Sequence, residues 1–299
     1  MALAYTEISK NKFRSWVLVF LFVLFVMGIG FAIGEYTNPG SGMGGLVVAA
    51  VISVIWTLVT YYAGDKITIS ASGAKPIEKR DNPQLYNLVE NLAITAGLPT
   101  PKIYIMQDSA LNAFATGRDP QHAIVAVTTG LLERLEKREL EGVLAHELSH
   151  VGNYDIRLLM IVTTLVGVIM IISDIFWRWS FWGGRGGGRR DGRAQLAMMA
   201  IGFLLIIFAP LFATLIKLAI SRKRESLADA SGALLTRYPE GLASALEKIS
   251  GDSHQLRGAT KGTAHLYISN PFKKGSWSKF FSTHPPIEER IKALRSMDV

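Results

Sequence analysis

The 299-residue chain contains no cysteine. This absence excludes disulfide frameworks, thiol nucleophiles, iron–sulfur clusters and cysteine-ligated zinc. Histidine is also scarce, with six residues in the whole chain. Any bound metal ion must therefore be held by a few imidazoles together with carboxylates.

Charged residues are nearly absent from four apolar stretches of the chain. Each stretch has about the 20 residues that a helix needs to cross a bilayer, and Asp174 is the only charged residue within them. The stretches are Trp16–Gly34, Leu46–Ala63, Leu158–Trp177 and Ala194–Ile216. The sequence therefore predicts a soluble part joined to four membrane-associated helices, with a lipid bilayer around them.

The net charge of +8 comes largely from basic residues that flank these stretches. Because such flanks are typical of the cytoplasmic side of membrane spans, we predict no nucleic-acid partner. Lys10, Lys12 and Arg14 precede the first stretch, whereas the segment 35–45 contains no Lys or Arg. This asymmetry predicts a multi-pass protein with both termini and the soluble part in the cytoplasm.

The Arg/Gly-rich loop 178–193 departs from this rule, since it carries five arginines but would lie outside. Two arrangements of the stretches 158–177 and 194–216 therefore stay open. They form two full crossings, or a hairpin that enters the bilayer only partly, which Asp174 and Pro210 would favour. The sequence assigns no role to the arginines.

The remaining segments predict a mainly α fold with a small β-sheet. One helix is delimited by Asp81-Asn82-Pro83 at its start and Gly97 at its end. Strand-like runs follow at 102–107, 112–116 and 123–128. Further helices are predicted at 131–154, 222–236, 240–250 and 286–297, with a loop at 251–277. The predicted division is an anchor (1–63), a soluble domain (64–157 and 222–299) and a membrane hairpin (158–221).

A metal-binding pattern, His146-Glu147-Leu148-Ser149-His150, lies inside the long predicted helix. Residues four apart share a helix face, so both imidazoles can bind one ion. Glu147 is offset by one residue and can reach a water molecule at that ion. This arrangement indicates metal-assisted peptide hydrolysis, with Glu147 as the base.

Catalytic zinc usually takes three protein ligands. No His or Glu occurs between His150 and Glu225, which follows the last apolar stretch. An even number of crossings, or a partial hairpin, returns Glu225 to the side of the histidines. We therefore predict Glu225 as the third ligand and Asp229, four residues later on the same face, as an acceptor that orients a ligand histidine. His284 is the best candidate for polarising the substrate, and His122, His254 and His265 are weaker ones.

At this point the chain resembles the membrane-anchored M48 metalloproteases, in particular their bacterial HtpX heat-shock group. The matching segments are His146–His150, Glu225–Asp229, Asn112–Gly117 and Ser282–Pro286 with Glu289-Arg290 following. They occur in the order of the family, with apolar stretches in the same places. The similarity covers nearly the whole chain.

The resemblance implies a zincin-like catalytic domain with one zinc ion on His146, His150 and Glu225. It also implies catalysis by Glu147, support from Asp229, and contacts of His284 and Arg290 with the reacting substrate. An extended peptide would lie along the strand formed by Asn112, Ala113, Phe114, Ala115, Thr116 and Gly117. The implied activity is hydrolysis of unfolded or misassembled membrane proteins at a bacterial plasma membrane, as quality control under stress, overlapping in function with other membrane proteases.

Other functions stay open as alternatives. A protease for prenylated carboxyl termini belongs to the same broad family, although four spans are few for the chamber of that group. An inactive metal-binding adaptor would have no need of the base Glu147. A transporter or channel is disfavoured because only Asp174 and Lys217 are ionisable in or beside the spans.

Overall fold

The computed structural model describes residues 2–182, 202, 222–259, 263–271 and 285–298. Their helices are α1 (Ala2–Thr37), α2 (Gly42–Ser72), α3 (Pro83–Ala96), α4 (Thr129–Arg134), α5 (Lys137–Gly152), α6 (Asp155–Trp182), α7 (Arg222–Thr236), α8 (Pro239–Gly251) and α9 (Ile287–Arg295). Their strands are β1 (Lys75–Pro76), β2 (Lys102–Met106), β3 (Ala113–Thr116) and β4 (Ile124–Thr128). The predicted stretch 194–216 lies outside these residues except for Gly202, as do His284 and the arginines of 183–193.

Two of the four predicted spans lie in helices that are long and apolar enough to cross a membrane, Ile8–Glu35 and Gly42–Ser72. Large apolar side chains remain exposed along them, including Phe20 (62%) and Val48 (59%). Such a surface is expected against lipid rather than water. The third predicted stretch lies within α6, which packs on α1 through the cluster of Leu18, Phe22, Phe25, Leu158 and Met160.

Helix α2 continues nine residues beyond the predicted end of the second stretch at residue 63. Its last turns bury Thr68, Ile69 and Ser72. Ile69 packs with Met106 and Phe114 of the sheet. The helix therefore extends because its final turns pack on the sheet, so one continuous helix joins the candidate span to the core around the sheet.

The predicted sheet is present as four strands in the order β1-β2-β4-β3. Strands β2 and β4 are parallel, whereas β1 and β3 pair antiparallel with their neighbours. The three predicted strands are confirmed to within one residue, and the two-residue β1 was missed. Strand β3 forms one edge of the sheet and contacts α5, which carries the metal-binding pattern.

The prediction of one helix over 131–154 is wrong, because α4 and α5 are separate. The chain breaks at Leu135–Glu136, where the Glu136 side chain accepts from the third helical residue and the Glu139 side chain accepts from the Glu136 N–H. Glu139 also binds Ser244 and Lys248 of α8. This reciprocal cap satisfies amides that a helix start leaves unpaired, so α5 begins independently of α4.

The predicted cap of α3 is confirmed. The Asn82 side chain accepts a hydrogen bond from the N–H of Leu85, and Gly97 ends the helix in the left-handed conformation with φ 67°. Helix α7 ends at the predicted Thr236, α8 is one residue longer at each end, and α9 lies within its predicted range. The predicted loop 251–277 contains one short 3-10 turn, Ala264–Leu266, among its described residues.

Candidate metal centre

Helix α5 brings the two histidines of the pattern together in the interior. His146 is 0% exposed and His150 is 6% exposed. Their Nε2 atoms lie 3.2 Å apart, with the rings nearly perpendicular at 87°. Because the residues are one helical turn apart, both imidazoles present the same nitrogen to one point.

Helix α7 supplies the carboxylate that completes this group. Glu225 Oε2 lies 3.6 Å from His146 Nε2, and Oε1 lies 3.7 Å from His150 Nε2. All three donor atoms fall within 4.8 Å of one another, and all three residues are buried. In a tetrahedral site with bonds of about 2.0–2.1 Å, ligand atoms are roughly 3.3 Å apart. The residues present therefore fit a single metal ion, and they are the three that the sequence predicted.

Glu147 lies beside these residues and is 3% exposed. Its negative charge is among those that raise the pKa of His150. A carboxylate next to a metal-binding group is a candidate general base, since it can reach a water molecule at the ion. Its predicted role as the base stays a prediction.

Asp229 contacts the other nitrogen of the first histidine, since its Oδ1 lies 2.9 Å from His146 Nδ1. Arg290 donates to both oxygens of Asp229, from Nε at 2.9 Å and from Nη2 at 2.7 Å. Burial opposes ionisation of Asp229, but its contacts with His146 and Arg290 outweigh this effect and hold its pKa well below the usual range. Asp229 therefore stays negative and can fix the orientation of the His146 ring.

Asp155, which the sequence reasoning missed, makes the corresponding contact to the second histidine. Its Oδ2 lies 3.0 Å from His150 Nδ1. Burial alone would lower the pKa of His150. The hydrogen bond to Asp155 and the charges of Glu225, Asp155 and Glu147 outweigh it and raise that pKa to about 9. A short chain segment rich in Gly, Asn and Asp after the pattern was the only available signal.

The predicted substrate strand, Asn112–Gly117, is buried at every residue. Its outer edge is covered near one end, where the N–H of Ile268 donates to the carbonyl of Ala113 at 3.0 Å. The Asn112 side chain donates to the carbonyl of Ser269 at 3.1 Å. The strand therefore lies at the sheet edge as an extended peptide would require, but a covering segment lies on it.

Two of the weaker histidine candidates contact carboxylates of their own turns rather than the centre. His122 contacts Asp119 at 2.7 Å and His254 contacts Asp252 at 2.6 Å, both within local turns. His265 lies in the 3-10 turn Ala264–Leu266. His284 is outside the described residues, so its predicted role stays a prediction.

Comparison with known proteins supports the same assignment. The profile of peptidase family M48 matches residues 79–298. The chain is 46% identical over 293 residues to a protein named Protease HtpX homolog from Tropheryma whipplei strain Twist, covering 98% of each chain. It is 45% identical over 293 residues to the protein of the same name from Dictyoglomus turgidum, covering 98% of this chain and 94% of that relative.

A solved structure shares the fold. The chain superposes on the crystal structure of S. mikatae Ste24p with a TM-score of 0.53 and 20% identity, covering 98% of this chain and 67% of that one. The family match spans more than half of the chain, and the relatives match it nearly end to end. With the buried His146, His150 and Glu225 and two candidate spans, these similarities show that the chain belongs to peptidase family M48 as a membrane-bound metalloprotease.

Proposed function

We propose that this chain is a zinc endopeptidase of the bacterial plasma membrane that hydrolyses unfolded or misassembled membrane proteins from the cytoplasmic side. One zinc ion per chain would be held by His146, His150 and Glu225. The observation that carries the proposal is the convergence of their donor atoms within 4.8 Å in a buried site. Two imidazoles and one carboxylate are a ligand set that zinc commonly takes in hydrolases, with one position left open.

A bound zinc ion would supply a Lewis acid that polarises the scissile carbonyl and lowers the pKa of water. The chain supplies the proton transfer. Glu147 would take the proton of the attacking water and then deliver it to the nitrogen of the leaving amine, so it ends the cycle as it began. Its 3% exposure supports this role, because bulk water has little access to a buried carboxylate and interferes little with its proton transfer.

Negative charge develops on the carbonyl oxygen during attack, and we propose that His284 and Arg290 stabilise it. Two donors of Arg290 bind Asp229, while its Nη1 is buried without a hydrogen-bond partner among the described residues. We assign the substrate contact of Arg290 to this Nη1. The ion pair with Asp229 would hold the guanidinium in place for that contact.

Substrate would bind along β3 as an added strand. Such pairing uses backbone hydrogen bonds and therefore accepts many sequences, which suits an enzyme for unfolded proteins. Because Ile268 now pairs with Ala113, the segment around 268 would have to leave the strand edge when a peptide binds.

The test compares metal content and cleavage of an unfolded membrane protein in detergent. We expect wild type to hold one zinc per chain and to lose activity to a chelator. Glu147→Gln should keep the zinc and lose cleavage, whereas His146→Ala and Glu225→Ala should lose both. His254→Ala, which removes a histidine outside the centre, is the matched control and should match wild type. Cleavage by Glu147→Gln at the wild-type rate would refute the role of the base, and full zinc in Glu225→Ala would refute the ligand set.

The same experiment also tests the two alternatives, the prenyl-protein protease and the inactive adaptor. A prenylated carboxyl-terminal peptide that is cleaved in preference to the unfolded protein would favour the prenyl-protein protease. A wild type that binds zinc and cleaves neither substrate would favour the inactive adaptor. Cleavage within the unfolded chain, at internal peptide bonds, is the result that our proposal expects.

A further inference from the structure

Asn11, on the first membrane helix, contacts Asp155, which in turn contacts the predicted metal ligand His150. It belongs to α1 and to the candidate span Ile8–Glu35. Its side chain is 1% exposed, although it stands between Lys10 and Lys12 in the sequence. A buried amide at this position needs partners, because an unpaired polar group in the interior is costly.

The partners of Asn11 lie 142 and 144 residues away in the chain. Its Nδ2 donates to Asp155 Oδ1 at 2.7 Å and to the carbonyl of Asn153 at 3.1 Å. Both N–H bonds of the amide are therefore used, and they set its orientation. The reverse orientation would point the amide oxygen at a carboxylate and a carbonyl, which repel it.

The two carboxylate oxygens of Asp155 contact different partners. Oδ2 lies 3.0 Å from His150 Nδ1, while Oδ1 receives Asn11 and also lies 3.5 Å from Nη1 of Arg224, next to Glu225. The carboxylate is 2% exposed, so these contacts determine its position. A hydrogen bond from an amide to a buried carboxylate is a charge-assisted one and stronger than a neutral pair.

We propose that Asn11 is a positioning residue for the metal centre. It fixes Asp155, and Asp155 fixes the ring of His150 so that its Nε2 points at the ion. The orientation of one zinc ligand therefore depends on how the first membrane helix docks against the start of α6. This inference rests on the proposed zinc site, and Asn11 itself would touch neither the ion nor the substrate.

The experiment measures the zinc dissociation constant of the full chain in detergent by competition with a fluorescent chelator. Loss of the partner of a ligand histidine typically weakens metal binding about 10–100-fold, so we expect Asp155→Asn in that range. Asn11→Ala acts one contact further away, and we expect it to weaken zinc about 3–10-fold. The visible spectrum of the cobalt-substituted protein should change in both variants, since ligand geometry determines it.

Ser15→Ala is the matched control. Ser15 is buried at 3% exposure on the same helix, one turn from Asn11, and its hydroxyl donates to the Asn11 backbone carbonyl rather than to Asp155. We expect Ser15→Ala to leave zinc affinity and the cobalt spectrum unchanged. In an Asp155→Ala background, Asn11→Ala should cause no further loss, because no side-chain oxygen is left at position 155 to accept from Asn11.

Two results would overturn the proposal: Asn11→Ala binding zinc like Ser15→Ala, or Asn11→Ala adding its full loss on top of Asp155→Ala. If Asn11→Ala does not accumulate, Asn11→Gln is the second variant. Gln keeps the amide, and binding tighter than in an Asn11→Leu variant is expected. A wild type that binds no zinc would refute the proposed function, whereas equal affinities of zinc-binding variants would refute only the role of Asn11.

Discussion

Replacing Arg290 by Met should destabilise the fold strongly, whereas the same change at Arg295 should not. Both arginines lie on α9 and both pair with carboxylates through more than one hydrogen bond. They differ in burial. The side chain of Arg290 is 2% exposed and that of its partner Asp229 is 5% exposed, whereas the side chain of Arg295 is 42% exposed. The pair of variants therefore isolates the effect of removing water from an ion pair.

Removal of one member of a buried ion pair leaves the other charge without a partner in a poorly polarisable interior, which costs about 3–5 kcal/mol of unfolding free energy. Asp229 keeps one neighbour, His146 at 2.9 Å, so we expect the lower end of that range. A loss of about 3 kcal/mol is roughly a hundredfold change in the folding equilibrium. The exposed pair of Arg295 is screened by solvent, so its removal should change stability within experimental error.

The assay is urea unfolding of the metal-free protein in detergent at pH 7, followed by tryptophan fluorescence. Chelator in every sample removes any contribution of metal binding to the comparison. Combining Arg290→Met with Asp229→Asn should recover part of the loss, because no unpaired charge is then left in the interior. If Arg290→Met loses no more stability than Arg295→Met, the buried pair does not stabilise the fold and our reasoning is wrong.

Three further predictions concern the helices around the centre. A Cβ on Gly232 of α7 would lie 3.0 Å from the backbone nitrogen of His146. Gly232→Ala should therefore push α7 away from α5 and weaken zinc binding, whereas Gly251→Ala, where a Cβ meets open space, should not. Equal zinc dissociation constants for the two variants would contradict this. Glu139→Gln should cost about 1–2 kcal/mol at pH 7 by weakening the cap of α5 and the bond to Lys248. Burial opposes ionisation of Glu139, but its hydrogen bonds outweigh this effect and lower its pKa. The stability that ionised Glu139 contributes is therefore present above about pH 4.5 and is lost in acid. Urea unfolding at pH 7 and in acid should show that the difference in unfolding free energy between wild type and Glu139→Gln shrinks in acid. In the metal-free protein, protonated His150 stabilises the fold below pH 6.5, and this contribution is lost as pH rises through about 9. The increase in Tm that buffered zinc causes should therefore become larger between these pH values. An increase in Tm that stays constant with pH would refute this role of His150.

Much of the centre could be predicted because the helical period determines it locally. His146 and His150 share a face by spacing alone, and so do Glu225 and Asp229. Their meeting could be inferred because the chain offers no other His or Glu between the two helices. The strands and the caps of α3 were equally local signals, and the structure confirms them.

The role of Asp155 could not be predicted from helical spacing. In a continuous helix, a residue five positions after His150 would point about 140° away from it. The chain instead leaves the helix at Asn153, and Tyr154 adopts a positive φ of 60°, which turns Asp155 back towards His150. A non-glycine residue in this conformation is uncommon, and the neighbouring Gly, Asn and Asp indicate only that a turn follows the helix.

The break between α4 and α5 was missed for a different reason. Glu136 occupies the position before α5 that Ser, Thr, Asp or Asn usually fills, so it gave no start signal. Asn11 is harder still, since its partners lie 142 and 144 residues away in the chain. Such contacts depend on how helices pack and leave no pattern in the sequence.

The third donor of the centre, Glu225, is synthesised long after His146 and His150. A nascent chain that has only just emerged with its histidine pair holds two of the three donors, too few for a stable site. The ribosome must first synthesise the chain between His150 and Glu225, which includes two apolar stretches. If the proposed ligand set is right, the metal site can form only after residue 225 has been translated, so proteolytic activity would begin late in synthesis.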